Sequence, residues 1–159
     1  MNRLMVWIGA SVLSFAAALT IAGVGGCNVH EFGHLVAGRA LGIPIEDIMW
    51  CTPTSGRIAF AYQEPALVGY AGGFFAAAVL GTLYWFVLKP RLSSPVWWAA
   101  GVAVLGTTIS QVIVGSWEGS SPVGYGAVQD NMVGLIAVLV GPLMAAAGIQ
   151  FVLQRPTIG

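Results

Sequence analysis

Residues 66–88 read ALVGYAGGFFAAAVLGTLYWFVL, a stretch without a single charged side chain. An apolar run of about 20 residues is long enough to cross the hydrocarbon core of a bilayer as a helix. Residues 96–114 and 128–153 form two further apolar stretches of sufficient length, the second with Asp130 near its start. The whole chain of 159 residues is 57% hydrophobic and 8% charged, whereas a soluble domain carries about 25% charged residues. The composition therefore predicts an integral membrane protein and argues against a soluble enzyme or a disordered chain.

The amino-terminal region, residues 4–41, is apolar throughout but contains Gly23, Gly25 and Gly26. As one straight helix it would be about 57 Å long, well beyond the hydrocarbon core of roughly 30 Å. It is therefore either one pass that is broken or projects from the membrane, or two segments separated at the glycines. Residues 27–41 alone would span only about 22 Å, so we expect a single pass. This gives four crossings in one polytopic domain covering residues 1–159.

The first residues also resemble a bacterial lipoprotein signal, because Arg3 precedes an apolar run that ends in Val24-Gly25-Gly26-Cys27. Hydrophobic character continues far beyond Cys27, so we expect a mature membrane helix instead. The basic residues leave the membrane orientation open. If the amino terminus is cytoplasmic, most of them fall on the cytoplasmic side, but Arg39 and Arg57 fall outside.

Residues 43–63, between the first two crossings, have a different pattern. A turn-forming cluster, Thr52-Pro53-Thr54-Ser55-Gly56, lies in the middle of this segment. After it, Ile58, Phe60 and Tyr62 alternate with smaller or polar residues, which is the period of a β-strand. The predicted fold is therefore an all-α integral membrane protein of about four transmembrane helices, with a small membrane-associated β-hairpin between the first and the second.

One cluster of ionisable residues lies in the first apolar helix: His30-Glu31-Phe32-Gly33-His34. On a helix, residues i and i+4 are about 40° apart, so the two imidazoles project from one face with Glu31 on its flank. Two metal-binding nitrogens and a general-base carboxylate require this arrangement. These are the only two histidines in the chain, and ionisable groups in an apolar helix are costly and usually functional. The alternative is a polar patch near the interface, satisfied by water or by neighbouring helices.

A catalytic zinc ion normally has three protein ligands and one open position, and with no third histidine the remaining ligand should be a carboxylate or a thiolate. The remaining carboxylates are those of Glu46, Asp47, Glu64, Glu118 and Asp130. The first three lie in or beside the predicted hairpin, where solvation explains them. Glu118 falls in a Gly/Ser-rich stretch, 115–126, that we expect to be a loop. Asp130 opens the last apolar helix, and we favour it as the ligand over the alternative of helix capping.

Cys27 lies one turn before His30 on the same helix face. It could be a metal ligand or a redox-sensitive thiol, but such a cysteine is more often a small packing residue. Two cysteines, Cys27 and Cys51, are too few for a disulfide framework.

Several features in sequence order resemble the site-2 protease family of intramembrane zinc metalloproteases. They are an apolar helix running into His30-Glu31-Phe32-Gly33-His34, the following residues Leu35-Val36-Ala37-Gly38-Arg39-Ala40-Leu41-Gly42, a β-rich segment with Pro53 and Gly56-Arg57, a small-residue helix with Gly69-Tyr70-Ala71-Gly72-Gly73, and a late aspartate. The aspartate lies in Gln129-Asp130-Asn131 rather than the frequent Leu-Asp-Gly, and an asparagine often found after the small-residue motif is missing.

The resemblance implies that His30, His34 and Asp130 hold one zinc ion and that Glu31 activates a water molecule. It further implies an intramembrane protease of regulated proteolysis, a minimal core without a PDZ domain, in a prokaryotic cell membrane. Its substrate would be a transmembrane protein or peptide, which the edge of the hairpin could bind as an extended strand. Asn131 or Gln111 could donate a hydrogen bond to the oxyanion, although each could instead form an interhelical hydrogen bond.

The runner-up function is a membrane protein that binds or transports a divalent metal without catalysis, followed by a scaffold without metal. In that case Glu31 would have no special role. The partners that we expect are the lipid bilayer and the substrate. The net charge of zero gives no electrostatic reason to expect a nucleic acid, and the sequence leaves the oligomeric state open.

Overall fold

The computed structural model of the chain describes the backbone of residues 3–51, 56–62, 65–120 and 127–153, and the side chains of residues 5–51, 56–62, 65–120 and 132–150. Within these residues four α-helices form: α1 (Arg3–Ala40), α2 (Ala66–Leu83), α3 (Pro95–Ser120) and α4 (Ala127–Leu153). A π-helical turn (Tyr84–Leu88) and a 3-10 turn (Lys89–Arg91) extend α2. Each of the four contains a span long and apolar enough to cross a membrane. This confirms the predicted fold class of a multi-pass α-helical membrane protein.

Helix α1 is continuous over 38 residues, so the chain does not break at the glycines. At about 1.5 Å per residue it is about 57 Å long and must project beyond a core of roughly 30 Å. Gly23 and Gly25 face open space, whereas Gly26 packs toward Leu80 and Thr107. The helix ends at Ala40, and Gly42, which has a φ of +71°, follows the last turn as a left-handed C-terminal cap.

The predicted β-hairpin is present between α1 and α2. Strands β1 (Ile45–Met49) and β2 (Arg57–Phe60) pair antiparallel, with Ile48 opposite Ile58. Both strands contact α1, and the Phe60 ring lies against Gly38. The hairpin therefore packs on the carboxyl-terminal part of α1, which includes the histidines.

Small residues let the helices approach closely, as is usual in lipid, where van der Waals packing replaces the hydrophobic effect between helices. Helices α2 and α3 meet where a Cβ on Gly115 would lie 2.7 Å from the Cα of Gly73. Helices α3 and α4 meet where a Cβ on Gly106 would lie 2.7 Å from the Cα of Pro142. Helices α1, α2 and α3 pack against one another, and α4 packs on α3.

Helix α3 continues to Ser120, six residues beyond the predicted end at residue 114. The prediction of a loop over residues 115–126 is therefore wrong for residues 115–120, and residues 121–126 lie outside the described part of the chain. The glycines that suggested a loop are helix-packing residues instead. Gly115 packs on Gly73, and Gly119 packs on the ring of Tyr70.

Candidate metal centre

Two imidazole nitrogens and one carboxylate oxygen converge where α1 meets the first turns of α2 and the last turn of α3. The Nε2 atoms of His30 and His34 are 2.9 Å apart. The Oε2 atom of Glu118 lies 2.9 Å from Nε2 of His30 and 3.6 Å from Nε2 of His34. These three side chains form a group that could hold a metal ion.

Each imidazole is oriented by a carbonyl oxygen on a neighbouring helix. The Nδ1–H group of His30 donates to Oε1 of Gln111 on α3 at 2.8 Å. The Nδ1–H group of His34 donates to the backbone oxygen of Val68 on α2 at 2.7 Å. Because each acceptor is a carbonyl oxygen, Nδ1 carries a proton, so in the neutral imidazole the lone pair is on Nε2 and points into the centre. Metal-binding histidines are held in the same way by hydrogen bonds from the second ring nitrogen.

Two glycines make room for this geometry. A Cβ on Gly33 would lie 2.6 Å from the backbone oxygen of Ala71 and 3.0 Å from the Cα of Gly72, so α1 and α2 touch directly between the two histidines. A Cβ on Gly72 would collide with Nε2 of His34 and lie 2.7 Å from Nε2 of His30. The missing side chain of Gly72 therefore leaves open the space in front of both nitrogens, where a metal ion would bind.

Glu31 lies beside this centre and is also buried, with 7% of its surface exposed, compared with 6% for His30. Its carboxylate accepts a hydrogen bond from the backbone of Ile58 in β2. Two carboxylates and two imidazoles thus share one site, in which His30 and Glu31 are buried and His34 and Glu118 are partly buried. Placing a buried and a partly buried carboxylate side by side is costly without a compensating positive charge, and a divalent cation held by the centre would supply that charge.

The structure brings together some of the predicted site residues and leaves others undescribed. His30 and His34 are adjacent, and Glu31 flanks them, as the helical spacing predicted. Gln111 accepts a hydrogen bond from His30 through its carbonyl oxygen, which is the interhelical hydrogen bond that the sequence offered as the alternative role. A contact of Gln111 with an oxyanion stays a prediction. Asp130 lies in the first turn of α4 and Asn131 follows it, but their side chains lie outside the described residues, so both predicted roles stay predictions.

Glu118 is the functional candidate that sequence reasoning passed over, because the glycines and serines around it suggested a loop. A signal was nevertheless present in the sequence. Gln111 and Glu118 are seven residues apart, which is two turns of a helix, so on a continuous α3 they share one face. Both side chains reach the histidines from that face.

Cys27 is bonded to Cys51 in a disulfide whose Cα atoms are 5.9 Å apart. The interpretation of Cys27 as a packing residue was therefore wrong. The bond joins α1, one turn before His30, to the chain just after β1. This pairing depends on the hairpin folding back onto α1, which no local spacing reveals.

Comparison of the chain with protein-family models, with curated proteins and with solved structures gives no match. The functional interpretation therefore rests on the chemistry of the centre and on the motifs of the sequence itself.

Proposed function

We propose that this protein is an intramembrane zinc metalloprotease that hydrolyses peptide bonds of membrane-embedded substrates. The observation that carries the proposal is the convergence of His30, His34 and Glu118 on one point, with the carboxylate of Glu31 beside it. A structural ion pair would need neither the second histidine nor the second carboxylate. The proposal assigns Glu118 as the third ligand, with Asp130 as the competing candidate from the sequence.

The donor set suits zinc in its chemistry and its dimensions. Two imidazoles and one carboxylate are a common ligand set of catalytic zinc. A tetrahedral ion with bonds of about 2.0–2.1 Å has ligand atoms about 3.3 Å apart. The three separations in the centre, 2.9, 2.9 and 3.6 Å, lie on both sides of that value. Zinc would be held by moving each donor atom by only a few tenths of an ångström, into the space that the missing side chain of Gly72 leaves in front of both nitrogens.

Bound zinc supplies a Lewis acid that lowers the pKa of water and stabilises developing negative charge on the scissile carbonyl. Glu31 is the general base of the proposed reaction. It takes a proton from the attacking water and delivers it to the nitrogen of the leaving amine. The backbone amide of Ile58 orients the carboxylate of Glu31. Because Glu31 is buried, bulk water does not reach the proton that its carboxylate takes up. Gln111 and Val68 keep the imidazoles from rotating.

The position of the centre in the bundle suits a substrate that enters from the membrane. It lies within the first turns of α2 and the last turn of α3, near one end of both helices. Helix α1 extends about 15 Å past His30, and the hairpin packs on this extension. A transmembrane substrate must unwind before its carbonyl carbon can be attacked, and an edge of the hairpin offers unpaired backbone groups to the unwound segment.

Replacing Glu31 with glutamine tests the proposal. The purified protein would be incubated with single-span peptides that carry a fluorophore and a quencher on either side of a central Gly-Pro pair. We expect Glu31→Gln to keep its zinc and to lose cleavage by at least about 10²-fold, the usual contribution of a general base. Glu46→Gln is the matched control, because Glu46 lies exposed on β1 and the change leaves the backbone groups of the hairpin in place, so it should cleave like the wild type.

The non-catalytic alternative predicts a different result. If the wild type binds zinc but cleaves none of the peptides, and Glu31→Gln binds zinc equally well, the proposal of a protease is overturned in favour of a metal-binding protein. If Glu31→Gln cleaves as fast as the wild type, Glu31 is not the base.

A further inference from the structure

We propose that the two sulfur atoms of Cys27 and Cys51, once reduced, form a second metal site together with the carboxylate of Glu31. This site takes a thiophilic divalent cation and is separate from the His30–His34–Glu118 centre. It is closed when the disulfide is present and opens when a dithiol or another reductant cleaves the bond. The Cys27–Cys51 pair would thus determine how many metal ions the protein holds.

The three donor groups are already close. One atom from each of Cys27, Glu31 and Cys51 lies within 4.8 Å of the other two. Cys27 and Glu31 are four residues apart on α1, which places them on the same face one turn apart. The hairpin contributes Cys51 from the other side, and both cysteines are only partly buried, so a reductant and a cation can reach them.

Cys51 stays in place without the disulfide, because a different interaction also holds it. Its backbone N–H donates to Oδ1 of Asn28 at 3.0 Å, and Nδ2 of Asn28 donates to the backbone oxygen of Val24 at 3.0 Å. Gly56, on the other side of the hairpin turn, packs directly against Cys51, since a Cβ there would lie 3.0 Å from the Cys51 nitrogen. The two thiols therefore remain neighbours after reduction, and the ligands are preorganised.

Reduction of the disulfide needs two electrons and two protons, and a dithiol supplies both. The sulfur–sulfur bond accepts two electrons from a dithiol, which becomes a disulfide, and its two protons complete the thiols of Cys27 and Cys51. A divalent cation then displaces both thiol protons, so that two thiolates and one carboxylate face it. Thiolate ligands favour soft or borderline divalent ions such as cadmium or zinc over magnesium or calcium.

The shared carboxylate couples this site to the centre. A cation bound between Cys27, Cys51 and Glu31 would occupy the carboxylate that we propose as the general base. Occupancy of the second site would therefore inhibit hydrolysis, a consequence that rests on the proposed function. Binding of the cation itself does not rest on it, so the two ideas can fail separately.

Cadmium binding to the intact protein tests the inference. Two samples of the wild type would be titrated with cadmium under anaerobic conditions: the oxidised protein and the protein reduced by a trialkylphosphine. The phosphine becomes a phosphine oxide with an oxygen atom from water, and it is removed before the metal is added. We expect one ion per chain in the oxidised protein and two in the reduced protein. The second ion should give the ultraviolet charge-transfer absorption of cadmium bound to thiolate.

Three variants locate the second ion. Reduced Cys51→Ser should bind one ion, and reduced Glu31→Gln should bind the second ion at least about tenfold more weakly. A His30→Ala, His34→Ala double variant should lose the first ion and keep the second when reduced, which separates this site from the proposed active centre. Equal stoichiometry in oxidised and reduced wild type, a comparison that needs no variant, would overturn the inference. Retention of the second ion by Cys51→Ser would overturn it as well.

Discussion

Replacing Gly72 with alanine should remove metal binding while the helix that carries it stays intact. The added Cβ would collide with Nε2 of His34 and lie 2.7 Å from Nε2 of His30. Ordinary contacts of a Cβ begin at 3.4 Å, so the His30 nitrogen must retreat by at least about 0.7 Å, whereas metal–ligand distances tolerate about 0.2 Å. The methyl group also fills the space that the ion needs.

The size of the effect follows from the number of ligands that move. Losing one supporting hydrogen bond around a metal ligand costs about 10–100-fold in affinity. Gly72→Ala displaces two ligands directly, so we expect zinc affinity to fall by at least about 100-fold. The measurement is a competition titration of the detergent-purified protein against a chromophoric zinc chelator.

Gly81→Ala is the matched control on the same helix. A Cβ there would lie 3.6 Å from Cγ2 of Thr108, an ordinary contact. In both variants alanine favours the helix over glycine by about 0.5–1 kcal/mol, so the helix preference itself cancels between them. If Gly72→Ala binds zinc within about threefold of Gly81→Ala, a free-energy difference below about 0.7 kcal/mol, the ion does not bind in front of these nitrogens.

Other perturbations test the surroundings of the centre. Gln111→Leu removes the acceptor on Nδ1 of His30 and should lower zinc affinity by about 10–100-fold, whereas Gln111→Glu keeps an acceptor and should recover most of it in the same chelator titration. Gly73→Val places a side chain against Gly115, because even a Cβ on residue 73 would lie 2.5 Å from the Cα of Gly115. It should lower the free energy of unfolding by about 1–3 kcal/mol, measured by thermal unfolding, and an unchanged Tm would contradict the close α2–α3 contact. Ser110→Ala removes the 2.6 Å hydrogen bond to the Ala137 oxygen on α4 and should cost about 0.6 kcal/mol without changing zinc content; a loss of zinc would show that this contact supports the centre.

The membrane fold was predictable because its signal is local. Each of the four helices contains its own apolar run, and the alternation after Gly56 predicted the second strand of the hairpin. The end of α3 was not predictable in this way. Gly115 and Gly119 are helical because Gly73 and Tyr70 pack on them, and these contacts come from another helix.

In the candidate site, too, the residues positioned by local sequence were predictable and those positioned by long-range packing were not. The spacing of His30, Glu31 and His34 within one helix fixes their geometry, so the sequence alone placed them together. Glu118 and Cys51 reach the same region through long-range packing of α3 and of the hairpin, and local patterns carry no information on such contacts. The sequence therefore predicts a carboxylate or thiolate as the third ligand and favours Asp130, whereas the structure places Glu118 at the histidines.

The zinc content of Glu118→Ala tests the proposed centre most directly. It would be compared with the zinc content of the wild type, His34→Ala and Asp130→Ala, all purified in parallel. With His30, His34 and Glu118 as the ligands, we predict about one zinc ion per wild-type chain. Zinc should be lost in His34→Ala and in Glu118→Ala and retained in Asp130→Ala. Full zinc retention in Glu118→Ala together with loss in Asp130→Ala would contradict the centre described here and return the third ligand to α4.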